Sequence, residues 1–220
     1  CALEYTLKDK KINTNLVNES MEIIREKTSI FSDFRGKSSI NTAIILSFQA
    51  NPKSSFDEIL NIHKKLKLNK FCSGDCLSLV SNVIFENKNK INIDECIEKM
   101  RYVYKSMIQN HPFSIGVEEY MITCIIAISA RDIEEELNNM EIAYEYLMKN
   151  GFHNRRTLQS LSHVLSFNKN KETLNRCIEI KKELEKNKCK MHEFGYPLIG
   201  VMALIDIKDV KHLIGKIKHI

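Results

Sequence analysis

The chain has 220 residues with only 7 Gly and 3 Pro, and 43% of its residues are hydrophobic. So few chain breakers argue against an all-β fold, and the abundance of Leu, Ile, Lys, Glu and Asn favours helices with a charged, solvated face. No apolar run approaches the roughly 20 residues needed to cross a bilayer, so we expect no membrane partner.

The net charge of +5 is uneven, because residues 154–220 hold 14 Lys/Arg against 7 Asp/Glu. Such a surplus is typical of a solvated surface, and it also leaves a nucleic-acid partner possible. A site for single-stranded nucleic acid normally adds stacking aromatic side chains among the cations. Here aromatic residues make up 8% of the chain and Trp is absent, so the composition gives that partner only weak support.

Two kinds of helical segment alternate along the chain. One kind is apolar on most sides, which suits an inner layer packed on both faces. The other is amphipathic, as in Ile133, Leu137 and Met140, whose spacing continues through Tyr144 and Leu147 to give one stripe. The apolar first helices are predicted over 1–7, 39–50, 75–87, 117–130, 156–167 and 196–206. The amphipathic second helices are predicted over 14–29, 55–68, 93–109, 133–149, 172–187 and 208–219.

Two independent sets of landmarks recur with a period of about 40 residues. Apolar residues after a short polar step lie at Phe31, Phe71, Phe113, Phe152 and Met191. The apolar ends of the first helices lie at Phe48, Phe85, Ile128, Phe167 and Ile205. A period of this length in helical sequence is typical of stacked helix pairs, each of which buries its apolar face only against its neighbours.

We therefore predict an all-α fold, an α-solenoid of about six stacked helix-turn-helix units of the TPR/HEAT-like kind, forming a single helical-repeat domain over 1–220. The units are predicted at approximately 1–36, 37–73, 74–115, 116–153, 154–192 and 193–220. The chain opens CALEYTL without an initiator Met. We expect a fragment of a longer protein with a truncated first unit, and self-association is possible through exposed repeat ends.

The stretch from Asn69 holds two cysteines four residues apart, Cys72 and Cys76, around Gly74 and Asp75. A structural zinc site usually takes two close pairs of ligands, and only one pair is present here. The stretch is better explained as a turn in which Gly74 gives backbone freedom and Asp75 or Ser73 caps the next helix. A metal site, a redox pair or a thiol activated at the helix N-terminus stays open. The chain's seven cysteines, mostly in apolar helical stretches, favour a reducing, cytoplasmic location.

The candidate binding residues lie mostly in the turns between units. Arg35 in the Phe34-Arg35-Gly36 stretch could clamp a carboxylate or phosphate, or it could pair with a neighbouring acid in a structural turn. His111 could act as a base or ligand, with Glu118 and Glu119 as acid and base partners. A helix-end role for His111 and a first-turn role for the two glutamates are the structural alternatives.

Three further histidines and one tyrosine are also candidates for chemistry or binding. His63 is expected to be half-exposed on its helix, and a two-histidine metal site formed by His153 and His163 is the least favoured possibility. Tyr196 could line a groove or pack in the core, and Pro197 suits the first turn of a helix. We predict no catalytic residues, no cofactor and no metal.

Five segments of the chain, SIFSDFRGKS, NHPF, LMKNGF, LSHVL and GYPLIGVMALI, together resemble a bacterial family of unknown function, domain of unknown function four-thousand-and-three. The resemblance covers nearly the whole chain. It is to family members of the kind found in low-GC Gram-positive bacteria (Firmicutes). It implies more residues upstream of Cys1, and it carries no assigned activity. The matching positions are Phe34, Arg35, His111, Pro112, Gly195, Tyr196 and Pro197.

The sequence thus favours a cytoplasmic protein without catalysis that binds a protein or peptide in a curved groove, because solenoids offer extended concave surfaces. One alternative is a nucleic-acid-binding protein or an enzyme on a helical-repeat scaffold. Another is a sensor of a small ligand or signal peptide that uses the same groove. Fold alone does not decide among them, since function depends on the site.

Overall fold

The computed structural model describes residues 13–112, 114–129, 132–166, 168, 170–187, 189 and 195–205. Within these residues the secondary structure is entirely helical, which confirms the all-α prediction. The α-helices of the described part are α1 (Thr14–Lys27), α2 (Ser39–Ser47), α3 (Pro52–Leu68), α4 (Asp75–Asn87), α5 (Ile93–Asn110), α6 (Tyr120–Ser129), α7 (Ile133–Lys149), α8 (Arg155–Ser166), α9 (Lys171–Lys186) and α10 (Tyr196–Leu204). Two short 3-10 helices cover Asp33–Arg35 and Val117–Glu119.

The predicted helix bounds agree with these helices to within about three residues. α3 begins three residues before the predicted position 55, because Pro52 occupies the first turn and the Asn51 side chain accepts a hydrogen bond from Ser54 N. The predicted helices at 1–7 and 208–219 lie outside the described residues, as do the landmarks Phe113, Phe167 and Met191. No described helix is long and apolar enough to span a bilayer.

Short polar side chains begin several of the helices. Asn13, Asp132 and Asn170 each accept a hydrogen bond from a backbone N–H of the first turn that follows them, as Asn51 does for α3. Because the first four N–H groups of a helix have no partner inside it, each such cap stabilises its helix by about 1 kcal/mol. The polar loops between the apolar segments therefore set where the next helix starts.

The chain divides into two compact units, and the first comprises residues up to 105 together with 116–129. Within it α1 packs on α2 and α3, α3 packs on α4, and α4 packs on both α2 and α6. The apolar faces of these helices share one core, whose largest fully buried side chains include Phe34, Ile44, Phe56, Leu77 and Tyr120. This core fixes the turn that follows α1.

Buried polar side chains also join neighbouring helices in the first unit. The hydroxyl of Ser78 donates to Ser38 Oγ at 2.7 Å, and Asn82 Nδ2 donates to Thr42 Oγ1 at 2.9 Å. The members of each pair are 40 residues apart, and in each pair one residue belongs to α4 while the other lies in α2 or at its start. Because an unpaired buried polar group is costly, these pairs favour one register of α4 against α2.

The second unit comprises residues 106–115 and the chain from 130 onward. Within its described residues α7 packs on α8, and α10 packs on both α8 and α9. Its core contains Leu147, Phe152, Leu158, Leu161 and Cys177, all fully buried. The end of α5 and the residues that follow it therefore belong to this unit.

Candidate functional site

The turn after α1, residues 28–36, is held by a dense set of hydrogen bonds. Ser32 N donates to Ser29 O at 3.1 Å and Arg35 N donates to Ser32 O at 2.9 Å. The Ser32 hydroxyl also accepts from Phe34 N at 3.3 Å, which caps the 3-10 helix. These hydrogen bonds tie together the backbone of residues 29–35.

Phe34 anchors the turn in the core of the first unit. Its side chain is fully buried, and its ring lies 5.4 Å from that of Phe56 and 5.0 Å from that of His63, both edge-to-face. Edge-to-face pairs at these distances add to the hydrophobic free energy of burial. These are the contacts of a core residue, and a binding role for Phe34 stays a prediction.

The guanidinium group of Arg35 closes the C-terminal end of α1. Nη2 donates to the carbonyl oxygens of Arg25 at 2.6 Å and Thr28 at 2.8 Å, and Nε donates to Thr28 Oγ1 at 3.0 Å. The last carbonyls of a helix lack partners within it, and a cation also interacts favourably with the negative end of its dipole. Arg35 thus contacts backbone carbonyls, where the sequence had suggested an acidic side chain or a bound anion.

Between the end of α1 and the anchored Phe34, the turn presents an apolar tip formed by Ile30 and Phe31. Ile30 is 75% exposed and Phe31 is 90% exposed. Burying one large apolar side chain on binding is worth about 1.5–3 kcal/mol. A rigid turn that displays two such side chains loses little conformational entropy when it binds, so the tip is a suitable anchor for a partner.

Asp33 in the same turn contacts His63 of α3, which in turn contacts Ser81 of α4. Asp33 Oδ2 lies 3.0 Å from His63 Nε2, and Ser81 Oγ lies 3.2 Å from His63 Nδ1. These are the residue types of a hydrolase triad, but Ser81 is fully buried and its hydroxyl also lies 2.8 Å from the carbonyl oxygen of Leu77. A substrate could not reach that oxygen, so the group links three structural elements without serving as a nucleophile.

The sequence did not single out Asp33 or Ser81. His63 was expected to be half-exposed, and its side chain is in fact only 12% exposed. Asp33 and His63 are 30 positions apart in the sequence. The ion-paired residues Lys65 and Asp94 have nearly the same separation. A search for charged partners about 30 residues apart would have found the pair.

His111 forms a second histidine–carboxylate pair, in the second unit, with Glu141 of α7. Its Nε2 lies 2.8 Å from Glu141 Oε2 and 3.1 Å from Oε1, and Asn110 Nδ2 donates to the same carboxylate at 3.2 Å. The imidazole also packs on the ring of Tyr144, with 4.4 Å between centroids. A carboxylate in this position orients the imidazole. That orientation is compatible with a structural role and equally with a chemical one.

The electrostatics of this region follow from burial and from His111. Partial burial would raise the pKa of Glu141, but the hydrogen bond and charge of His111, with the Asn110 amide, outweigh it and hold that pKa below its ordinary value. His163 of α8 is almost completely buried, and its Nε2 accepts a hydrogen bond from Gln159 Nε2 at 2.9 Å. Burial, assisted by the charge of His111, lowers the pKa of His163 to about 3.

The other sequence candidates differ in their surroundings. Glu119 is buried, and its Oε2 accepts a hydrogen bond from Gly116 N at 2.9 Å, which supports the start of the following helices. Glu118 is exposed. His153 is exposed, whereas His163 is buried. The carboxylate beside His111 is Glu141, which the sequence had not proposed.

Tyr196 lies at the start of α10, after Gly195 at the N-cap and before Pro197 in the first turn. It is half-buried, and its ring lies 4.8 Å from that of the fully buried Phe152 in an edge-to-face arrangement. The position suits packing of the first turn of α10 on the core of the second unit. A binding role for Tyr196 stays a prediction.

The Cys72–Asp75 stretch is a turn that leads into α4. Gly74 has φ +146°, which only glycine adopts readily, and Asp75 is the first residue of the helix. Cys72 N donates to the hydroxyl of Tyr120 at 3.1 Å, and both Cys72 and Cys76 are free thiols. Among the described residues there is no cluster of three or more His, Cys, Asp or Glu side chains that could hold a metal ion.

Comparison with known proteins identifies the family. A family model described as "Protein of unknown function (DUF4003)" matches residues 1–220, the whole of the chain. The chain belongs to this family. The DUF4003 assignment confirms the resemblance predicted from the sequence, and the family is described as one of unknown function.

One curated relative of this DUF4003 chain is the uncharacterized protein YeaA of Bacillus subtilis (strain 168). The two are 19% identical over 213 residues, which is 94% of this chain and 64% of the relative. The chain therefore spans less than two thirds of the length of that relative. No solved structure matches the chain.

Proposed function

We propose that this DUF4003 chain is a cytoplasmic helical-repeat module that binds a partner protein, without catalysis, through the Ile30–Phe31 tip. The observation that carries the proposal is the exposure of both side chains on a turn whose backbone is fixed by Phe34 and Arg35. Interface hot spots are commonly large side chains held in place before binding.

Recurrent contacts support the repeat part of the proposal. In four successive turns a ring packs against a side chain of the following amphipathic helix, and the two residues are 29 to 33 positions apart. The pairs are Phe34 with His63, Phe71 with Tyr104, His111 with Tyr144, and Phe152 with the Lys181 ammonium. The second members follow one another after 41, 40 and 37 residues, which is the spacing that stacked two-helix repeats produce.

The side chains that form the tip, Ile30 and Phe31, are both apolar, which favours binding over catalysis. Near the tip, Asp33 Oδ2 lies 3.0 Å from His63 Nε2, and Ser81 is fully buried. Arg35 is engaged with the α1 carbonyls. The tip offers apolar surface to a partner. Burial of apolar surface favours association between proteins and does not by itself carry out chemistry on a substrate.

The proposal is tested with the full-length protein as affinity bait in lysate of its source organism. The proteins that copurify with it are identified by mass spectrometry. The wild type is compared with Phe31→Ser, and Leu68→Ser is the matched control, because Leu68 is also an exposed apolar residue (73%) but lies outside the tip. We expect a partner that the wild type and Leu68→Ser retain and Phe31→Ser loses.

The affinity for the purified partner is then measured by calorimetry. Loss of the Phe31 ring is expected to weaken binding about 10- to 100-fold, because about 1.4 kcal/mol corresponds to a factor of 10. A partner that binds all three proteins equally would remove the tip from the interface. Partners that disappear after nuclease treatment would instead support the nucleic-acid alternative.

A further inference from the structure

We propose that Asp33, His63 and Ser81 form a proton-sensitive latch that holds the 28–36 turn, and hence the Ile30–Phe31 tip, against α3 and α4. Its regulatory meaning rests on the proposed function of the tip, whereas its chemistry does not. Asp33 lies in the turn, His63 on α3 and Ser81 on α4, so one imidazole joins all three elements.

The Asp33–His63–Ser81 group can respond to pH because the Ser81 hydroxyl can change its hydrogen-bond partner. Ser81 has one hydroxyl proton and two acceptors within reach, the carbonyl oxygen of Leu77 at 2.8 Å and His63 Nδ1 at 3.2 Å. When His63 is neutral, Nε2 carries the proton and faces Asp33 Oδ2 at 3.0 Å, while Nδ1 accepts the proton of Ser81. When His63 is protonated, Nδ1–H donates to Ser81 Oγ, and the hydroxyl turns to the Leu77 carbonyl. The hydroxyl rotation lets the site exist in both protonation states.

The groups that face His63 act in opposite directions. Burial disfavours its charged form, Asp33 of the turn favours it, and Lys67 on the same helix disfavours it, while the Leu77 carbonyl of α4 favours it. Burial prevails, so the pKa of His63 is below its ordinary value. The latched structure therefore binds a proton more weakly than a free histidine does.

The direction of the response follows by linkage. A released or unfolded His63 takes up a proton below about pH 6.5, and the latched one does so only at lower pH. The latch is at full strength above that pH and weakens as the pH falls toward the pKa of the latched state. For one proton, the equilibrium between latched and released turn changes by at most about tenfold per pH unit.

The first test is an NMR titration of the imidazole C–H signals of the whole chain, with the His63 signal identified by its loss in His63→Gln. We expect a midpoint below about 6.5, a still lower midpoint in Asp33→Asn, and a higher one in Lys67→Gln. Lys64→Gln is the matched control and should leave the midpoint unchanged, because Lys64 is not among the groups that act on His63. An unchanged midpoint in Asp33→Asn would overturn the proposal.

The second test is hydrogen exchange of the amides of residues 28–36, expressed as protection factors from pH 7.5 to pH 5. In the wild type we expect protection to fall with pH by up to about tenfold per unit, and in His63→Gln to stay flat. Protection that stays constant while His63 titrates would show that the histidine does not hold the turn. If His63→Gln fails to fold, Asp33→Asn and Lys67→Gln give the comparison. Neither test needs a partner, so a failure of the proposed function and a failure of the latch are distinguishable.

Discussion

Phe31 and Phe34 lie three residues apart in one turn and have opposite environments, since Phe31 is 90% exposed and Phe34 is fully buried. The turn thus uses one aromatic ring to attach itself to the core and presents the other to solvent. We expect Phe34→Ala to lower the free energy of unfolding by about 3–5 kcal/mol, and Phe31→Ala to change it by less than about 0.5 kcal/mol. Urea denaturation of both variants measures the difference, and equal losses would contradict this assignment of the two rings.

Arg35 should matter to stability through the end of α1. Replacing it with Ala leaves the Arg25 and Thr28 carbonyls without the guanidinium donor, at an expected cost of about 1–2 kcal/mol because the group is partly exposed. Lys37→Ala, an exposed cation in the same region, is the matched control and should cost little. Thermal unfolding compares the two, and a loss as large in Lys37→Ala would mean that net charge, not the cap, is responsible.

Two glycines of the first unit should differ in their tolerance of a methyl group. Gly74→Ala is expected to cost about 1–2 kcal/mol, because its φ of +146° is unfavourable for an L-residue although nothing lies within 4 Å of the added Cβ. At Gly36 the Cβ would meet Asp75 Oδ1 at 2.2 Å, the end of an exposed side chain that can rotate away. We expect Gly36→Ala to cost less, and chemical denaturation that ranks the two in the opposite order would refute this explanation.

Acid should destabilise the second unit through His163. Its pKa of about 3 in the folded state lies below the 6.5 of an unfolded histidine, so the unfolded chain binds the additional proton between these values. The contribution is complete above about pH 6.5 and is lost as the pH falls toward 3. Denaturation of wild type and His163→Gln from pH 7 to pH 4 should show a shallower pH slope in the variant, and parallel slopes would disprove the contribution.

The Glu141 carboxylate should add to the same acid response. Its pKa is held below the ordinary value by His111 and Asn110 against the opposing effect of burial, so its stabilising contribution is present above the unfolded pKa and is lost as the pH falls through the folded one. Glu141→Gln should lose stability at pH 7 and come closer to the wild type at low pH. A constant difference between the two proteins across that range would contradict the ion-pair origin.

Much of the helical layout could be predicted from local pattern. α4 and α7 have the predicted bounds 75–87 and 133–149, because the apolar spacing along each segment depends on nearby sequence, as do the Gly74 turn before α4 and the Asp132 cap of α7. The same holds for the turn at Gly74, whose backbone conformation needs only glycine.

Residue environments were harder to predict. Phe31 and Phe71 occupy matching positions in the sequence pattern, yet Phe71 packs on Tyr120 at 5.0 Å while Phe31 is exposed. Burial at such a position depends on which side chains from other helices reach it, and those lie tens of residues away. Sequence pattern shows that both are large and apolar and cannot show which of them has a neighbour.

The helical class, the helix bounds to within about three residues and the family could all be predicted from the sequence, because they depend on periodicity, capping and overall similarity. Four features became visible only in the folded chain: Arg35 closes α1, His63 joins Asp33 to Ser81, Glu141 is the partner of His111, and Ile30 and Phe31 form an exposed tip. Each of the three contacts depends on atoms brought within about 3 Å by chain folding, and the exposure of the tip depends on which side chains pack nearby.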